Sequence, residues 1–392
     1  MDQGFRPLEG TRVVEMSHMI MGPSCGQFLA FLGAEVIKVE PPGGDKTRNL
    51  QGMGRPFHPL FNRGKRSVQL DTKTDAGRQA LAALLETADV FVENFRDASL
   101  GKAGADPQDL HRKYPEMIIA SHKGFLSGPY EERTALDEVV QMMTGLAYMT
   151  GPSGRPLRVG ASATDIMGGL FAAMGVVASL LERRETGKGR NIRVGLFETC
   201  LTIVAQHMVQ YELEGTDPPP MPERDFSWPV YDIFMTADAK QIFVGAVTEG
   251  QWKALCEFLE LYDLIADPTL QTRPQQIEAR DRTVPLVARA ILERNSEHLT
   301  VSFEELGIPF APVAKPSDML RDPHVLRPGG LVTTQMWDGP TFRAPSLPFE
   351  VDGDIVGGDT EVQAVGQDTG DVLADLGLTP EEISVASGET KP

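Results

Sequence analysis

Cysteine is scarce in this chain: three among 392 residues, Cys25, Cys200 and Cys256, with no CxxC pair. That spacing argues against a disulfide framework or a zinc site and reads as packed, reduced thiols. No stretch of about 18 apolar residues runs free of charge, and Met1-Asp2-Gln3-Gly4 carries no basic segment, so neither a membrane span nor a signal peptide is expected. Positive charge is also short. The 37 Lys and Arg face 55 Asp and Glu, a net charge of −18, which repels polyanions and removes nucleic acid from the expected partners. A cytoplasmic location follows as the expectation. The GxGxxG fingerprint is missing too: the loop Ser17-His18-Met19-Ile20-Met21-Gly22-Pro23 offers one glycine followed by proline, so a nicotinamide dehydrogenase loses its main support.

What is present suffices for a large folded enzyme. With 41% apolar and 23% charged residues, the chain can bury two cores or one large one. The first half alternates strands and helices: strands at 12–15, 35–39, 67–70, 90–93 and 117–121, and helices at 24–32 and 75–87. Such alternation implies parallel βαβ units, which place ligands at the carboxyl ends of strands. The loops 17–23, 41–48 and 94–104 are therefore the candidate site loops. From Pro218-Pro219-Pro220 the texture changes to a hairpin at 231–246 and helices at 251–261 and 276–293, so the expected division is 1–217, 218–321 and a return to the large domain over 322–392. The fold class is α/β, a large domain with a parallel Rossmann-like sheet plus a smaller α+β domain.

Two features carry chemistry. Asp165 lies where the small-residue stretch Gly160-Ala161-Ser162-Ala163-Thr164 runs into an apolar helical segment, 166–184. Small neighbours let a ligand approach the backbone, and a helix start aims N–H groups at a developing oxyanion, so Asp165 is a candidate covalent nucleophile. An aspartate in that place is equally the signature of an N-cap. The second feature is a basic island in an acidic chain. Between Lys38 and Arg78, nine basic residues (Lys38, Lys46, Arg48, Arg55, Arg63, Lys65, Arg66, Lys73, Arg78) face four acidic ones (Glu40, Asp45, Asp71, Asp75). Such an island suits a phosphate-bearing ligand; its bland counterpart is a solvated loop. Asn94-Phe95 after a strand supplies an amide and a ring, or a turn beside a core aromatic.

Ordered blocks run along nearly the whole chain: Pro7-Leu8-Glu9-Gly10 into Val13-Val14-Glu15, Gly22-Pro23, Leu32-Gly33-Ala34-Glu35-Val36-Ile37-Lys38-Val39-Glu40, Asn62-Arg63-Gly64-Lys65-Arg66-Ser67, Val92-Glu93-Asn94-Phe95, Ala120-Ser121 with Gly124-Phe125, Asp165, and Thr186-Gly187-Lys188-Gly189. In this order they resemble the class III CoA-transferase family, which includes formyl-CoA transferase and the 2-methylacyl-CoA racemases.

The resemblance implies that Asp165 forms an acyl-enzyme anhydride and then an aspartyl-CoA thioester while CoA moves from a donor such as succinyl-CoA to a small carboxylic acid. It implies that Met19 and Ile20 line the thioester pocket, and that Leu70, Lys73, Asn94, Phe95 and Lys102 contact CoA. Pro41 stands where the family has an arginine, so phosphate contacts fall to Lys46 or Arg48. Acyl-CoA is a substrate; no tightly bound cofactor and no metal are implied, and the partners are an acyl-CoA, a carboxylic acid and a second copy in an interlocked homodimer. Leu136 replaces the racemase histidine, and leucine moves no proton, so a racemase ranks second, beside a non-catalytic CoA-binding protein. Asp137 and Glu138 are read as acidic first-turn residues of a helix expected over 137–148; the alternative for Glu138, counted with the CoA-binding positions, is to help seat the carboxylate chemistry. Oxyanion donors are expected near Gly168-Gly169 or Ser127-Gly128. Arg133, Arg158 and Arg224 are either clamps for a second carboxylate or surface charges.

Overall fold

The protein is described by a computed structural model covering residues 4–224, 226–358 and 360–389. Met1, Asp2 and Gln3, read above for a leader, lie outside those residues. The chain forms two compact units, one of Met1–Pro222 with Pro323–Pro392 and one of Glu223–Asp322.

The larger unit is built on six parallel strands, β1 (Arg12–Met16), β2 (Glu35–Glu40), β3 (Arg66–Gln69), β4 (Val90–Glu93), β5 (Ile118–Lys123) and β6 (Asn191–Gly195), in the order β3-β2-β1-β4-β5-β6. This is a doubly wound order whose direction reverses between β1 and β4, the crevice where such sheets bind ligands. Both faces are covered, so the strands read as near-continuous β-branched runs rather than alternating ones. Adjacent residues serve opposite layers. Val13, Val36, Val90, Val92, Ile118 and Ala120 pack beneath the helices Met21–Phe31 and Ala163–Thr186, through Cys25, Leu29, Ala172, Ala173 and Val176. Val14, Ile37, Val68, Phe91 and Ile119 face the helix Asp75–Glu86 and the C-terminal helices through Leu81, Leu84, Leu85, Val372 and Leu373.

The C-terminal segment closes the β3 edge. Asp368 Oδ2 accepts from the Ser67 N–H at 2.8 Å and Thr369 Oγ1 from the Gln69 N–H at 2.9 Å, which satisfies an otherwise open edge. The return to the large unit ends in two helices, Thr369–Asp375 and Pro380–Ala386; the second begins with a capping box between Thr379 and Glu382. The smaller unit pairs β7 (Val230–Met235), β8 (Gln241–Ala246) and β9 (Phe310–Pro312) antiparallel over Trp252, Leu255, Val287, Ile291, Leu299 and Phe303.

Two element readings change near the site. The helix expected over 137–148 breaks into Asp137–Met143 and Leu146–Thr150, because Gly145 between them takes φ of 90°, a conformation outside the right-handed helix. The apolar segment starts earlier, at Ala163, and runs to Thr186; among the described residues it alone is long and apolar enough to cross a membrane. One side of it, Gly168, Gly169, Ala172, Ala173 and Val176, is buried in this unit, while Leu170, Met174, Val177 and Leu181 form an exposed stripe on another.

Candidate active site

The basic island is mostly spent inside the protein. Glu15, at the end of β1, has no solvent exposure; its carboxylate accepts from Lys65 Nζ at 2.8 and 3.0 Å and from Ser17 Oγ at 2.8 Å, with Lys38 Nζ at 3.5 Å. Lys38 Nζ also donates to Ser17 O at 2.7 Å and lies 3.2 Å from Asp45. Burial opposes the Lys38 charge, yet Glu15, Asp45 and Glu40 together hold its pKa above the ordinary value. Burial brings Lys65 down to about 8, against the pull of Glu15. Buried charges in strands must be paired, and Glu15, Lys38 and Glu40 within otherwise apolar strands were the sequence signal for this network.

Arg48 is likewise taken. Its Nε and Nη2 fork onto Glu40 at 2.7 and 2.6 Å, its Nη1 donates to Gln363 O at 3.1 Å, and its guanidinium stacks on Trp337. Burial opposes ionisation of Glu40, but the Arg48 fork overrides it and holds that acid at about 2. Arg48 therefore anchors the turn after β2 instead of facing solvent. Lys46, on the same turn, is exposed, as are Lys73 after β3 and Lys102 near the end of the helix Asp97–Ala103.

At the β1/β4 crevice the two loops are stitched together. Asn94 Oδ1 accepts from the His18 N–H at 3.0 Å and Asn94 Nδ2 donates to His18 O at 2.8 Å, so the amide expected to meet a ligand instead clamps a backbone. Phe95 has its ring 5.0 Å from the His18 ring and packs on the core. Met19 follows with φ of 62°, a left-handed conformation rare for such a side chain, held by its N–H to Thr47 Oγ1 at 3.1 Å. Met19 is exposed at the loop tip, Ile20 is buried, and Leu70 is buried at the end of β3. The strand-end loops thus gather Met19, Ile20, Asn94 and Phe95 in one place.

The link to Asp165 is a helix crossing. Gly168 and Gly169 let the Met21–Phe31 helix come against the long helix: a Cβ on Gly169 would overlap Ser24 Oγ and Met21 O, and one on Gly168 would overlap Met21. Their amides sit in the second turn, committed to the helix, so these glycines provide close approach rather than oxyanion donors. In the Ser127-Gly128 loop, the Leu126 N–H is on Glu198 and Ser127 Oγ accepts from Arg193 at 2.8 Å.

Asp165 is not the cap. Ser162 holds the N-cap position, and Asp165 lies in the first turn, partly exposed. The cap function falls to Asp137, whose Oδ1 accepts the Thr164 N–H at 3.2 Å while its Oδ2 receives Arg158 Nη2 at 2.7 Å and Gln141 Nε2 at 2.7 Å. Glu138, one residue on, points about 100° away around its helix and is exposed. Burial, reinforced by the nearby Asp137 charge and only partly offset by Arg158, raises the Asp165 pKa to about 7. A carboxylate so placed holds its proton more tightly than a free one and is not neutralised by direct pairing. The Asp137–Arg158 pairing escaped sequence reading because the two residues lie 21 positions apart and meet only through folding.

A doubly wound sheet with loops stitched at its switch point, and a partly exposed acid in the first turn of a helix packed against it, form a site able to hold a ligand against a carboxylate. Residues 8–369 match the model of CoA-transferase family III, and the chain belongs to that family. It is 29% identical to the succinate–glutarate CoA-transferase of Agrobacterium fabrum, over 94% of this chain and 96% of that one. It is 32% identical to the succinyl-CoA:mesaconate CoA-transferase of Haloarcula hispanica, over 81% and 83%. Among solved structures, a CAIB/BAIF family protein from Brucella suis superposes with a TM-score of 0.85 at 28% identity, covering 94% of this chain and 99% of that one. The protein is a CoA-transferase; CoA thioesters are its substrates.

Proposed function

We propose that this enzyme moves CoA from succinyl-CoA to a small dicarboxylic acid through covalent intermediates on Asp165. The observation that carries the reading is the placement of Asp165: in the first turn of the long helix, with capping left to Ser162 and Asp137, and with burial and the Asp137 charge resisting its ionisation. The relatives named above act between succinate or succinyl-CoA and glutarate or mesaconate, which supports the choice of donor and acceptor.

In the donor half, an Asp165 oxygen attacks the thioester carbon, the C–S bond breaks, and CoA thiolate leaves a mixed anhydride. The thiolate then attacks the Asp165 carbonyl carbon, giving an aspartyl-CoA thioester and releasing succinate. The acceptor carboxylate attacks that thioester, expels the thiolate and forms a second anhydride, which the thiolate cleaves at the acceptor carbonyl to release the new acyl-CoA and free Asp165. The small residues Gly168 and Gly169 keep the helix crossing tight beside this chemistry and help exclude the water that would hydrolyse an anhydride. Lys46, Lys73 and Lys102, exposed and cationic, are assigned to the CoA phosphates, and the Met19–Ile20 loop to the pantetheine arm. A racemase is disfavoured by Leu136, which is exposed and non-titrating where a second proton carrier is needed.

A second copy of the chain is assigned to the apolar stripe Leu170, Met174, Val177 and Leu181 and to the exposed Met208, Val209 and Leu213 of the helix Leu196–Glu214, apolar side chains that a partner would take out of water. The free thiols of Cys25, Cys200 and Cys256 suit a reducing cytoplasm.

The deciding experiment is interception. Succinyl-CoA is added, then hydroxylamine or borohydride, and the peptide bearing Asp165 is weighed. A hydroxamate or reduced residue at Asp165 is expected; an unmodified peptide during turnover sinks the mechanism.

A further inference from the structure

Any acid that accepts CoA approaches this site as an anion, toward a helix start that already holds two carboxylates, Asp137 and Asp165. That approach needs a counter-charge near the reacting carbon. Arg158 is the cation whose charge acts on Asp165. It sits on the segment leading into the long helix, and its Nη2 reaches Asp137 Oδ2 at 2.7 Å and Ala161 O at 3.2 Å. Asp137 in turn receives the N–H of Thr164, the residue next to Asp165. The neighbouring Val159 N–H is held by Gln141 Oε1 at 2.9 Å, so the arm carrying Arg158 is fixed to the same helix that carries Asp137.

Arg158 is placed but not used up. Both bonds above engage one terminal nitrogen. Its Nε is buried and has no hydrogen-bond acceptor among the described residues, a costly state for a guanidinium. The side chain retains 22% exposure, so a ligand can reach the group. The other arginines named from sequence are placed differently: Arg133 stacks on Tyr130, and Arg224 belongs to the smaller unit, where it stacks on Phe226.

We propose that Arg158 binds the carboxylate of the acceptor acid and holds it for attack on the Asp165-bound thioester. The proposal rests on the transferase mechanism above and adds the residue that selects an anionic nucleophile. In that step the acceptor oxygen bonds to the Asp165 carbonyl carbon, the C–S bond breaks and CoA leaves as thiolate; Arg158 forms and loses no covalent bond. Once Asp165 carries CoA it is neutral, so the acid is drawn to the exposed end of the Arg158 guanidinium, rather than to its buried Nε, without a competing anion on Asp165.

The test compares Arg158→Gln and Arg158→Lys with the unaltered protein, using succinyl-CoA as donor and glutarate and mesaconate as acceptors. Arg158→Gln is expected to raise the acceptor KM by about 20-fold, the loss of one charge-assisted hydrogen bond, with the KM for succinyl-CoA within about threefold. Hydroxylamine, a neutral nucleophile, should discharge the enzyme-bound thioester at the unaltered rate, and Arg158→Lys should recover part of the carboxylate reaction. Equal losses with hydroxylamine and carboxylate would assign Arg158 a merely structural role and overturn the proposal, as would an unchanged acceptor KM. If the unaltered protein forms no adduct on Asp165, the covalent reading fails first and takes this one with it.

Discussion

Glu15 and Asp165 lie in the same unit and are treated in opposite ways. Glu15 is wrapped by Lys65, Lys38 and Ser17, with every approach to it closed by protein. Asp165 meets a second acid and one arginine at a distance, and its ionisation is resisted. The first arrangement makes a charge permanent and uses it to fasten the Ser17–Pro23 loop, since both lysines also bind backbone carbonyls of that loop, at Ser17 and Pro23. The second leaves a charge available for bond formation. The nearest partners, more than burial, set the two acids apart.

Exchanging the roles tests this contrast. Asp165→Asn should remove CoA exchange almost wholly, by about a thousandfold or more as for loss of a nucleophile, with the fold intact by circular dichroism. Retention of even a tenth of the exchange rate would place the chemistry elsewhere. Glu15→Gln should act on stability instead, costing about 3–5 kcal/mol in a denaturant titration because buried Lys65 loses its counter-charge and buried Lys38 loses one of its acidic partners. A change below about 1 kcal/mol would mean the lysines find other partners.

The sign of the Asp165 shift provides a smaller effect. Its folded pKa of about 7 lies above the ordinary 3.8, so the native state holds this proton more tightly than the unfolded chain does. Below about pH 4 both states are protonated and the group is neutral in its effect; between about pH 4 and 7 stability falls as pH rises, and beyond that the loss is complete. Asp165→Asn, which never ionises, should thus match the parent at pH 4 and exceed it by on the order of 3 kcal/mol at pH 8. Parallel stability curves across that range would refute the raised pKa. The smallest effect belongs to the exposed rim. Lys46→Ala should raise the KM for acyl-CoA only a few-fold, and less at high salt, because an exposed charge is screened.

Much of the fold was legible because it is local. Hydrophobic runs of strand length, punctuated by Gly33, Pro41-Pro42 and the Pro218-Pro219-Pro220 break, marked the parallel strands and the change of texture. The Pro380–Ala386 helix carries a local signal as well, the Thr379–Glu382 capping box with Pro380 at its first position. The split at Gly145 was harder, since a glycine inside a helical pattern is often tolerated.

The site divides along the same line. Asp165, the loop 17–23 and Asn94-Phe95 stood out by residue type and by their place after strands or before a helix. The partners of those residues did not. Arg48 reads as a phosphate ligand in sequence, yet folding turns it onto Glu40, and Asn94 is turned onto His18. By itself the sequence determined which residues are chemically able and roughly which element each sits on, because propensity and spacing act over a few positions. Only the tertiary structure decided which charges cancel and which acid stays reactive, because electrostatic energy depends on distances between groups that the chain brings together from 20 to 50 residues apart, as with Asp137 and Arg158 or Glu15 and Lys65.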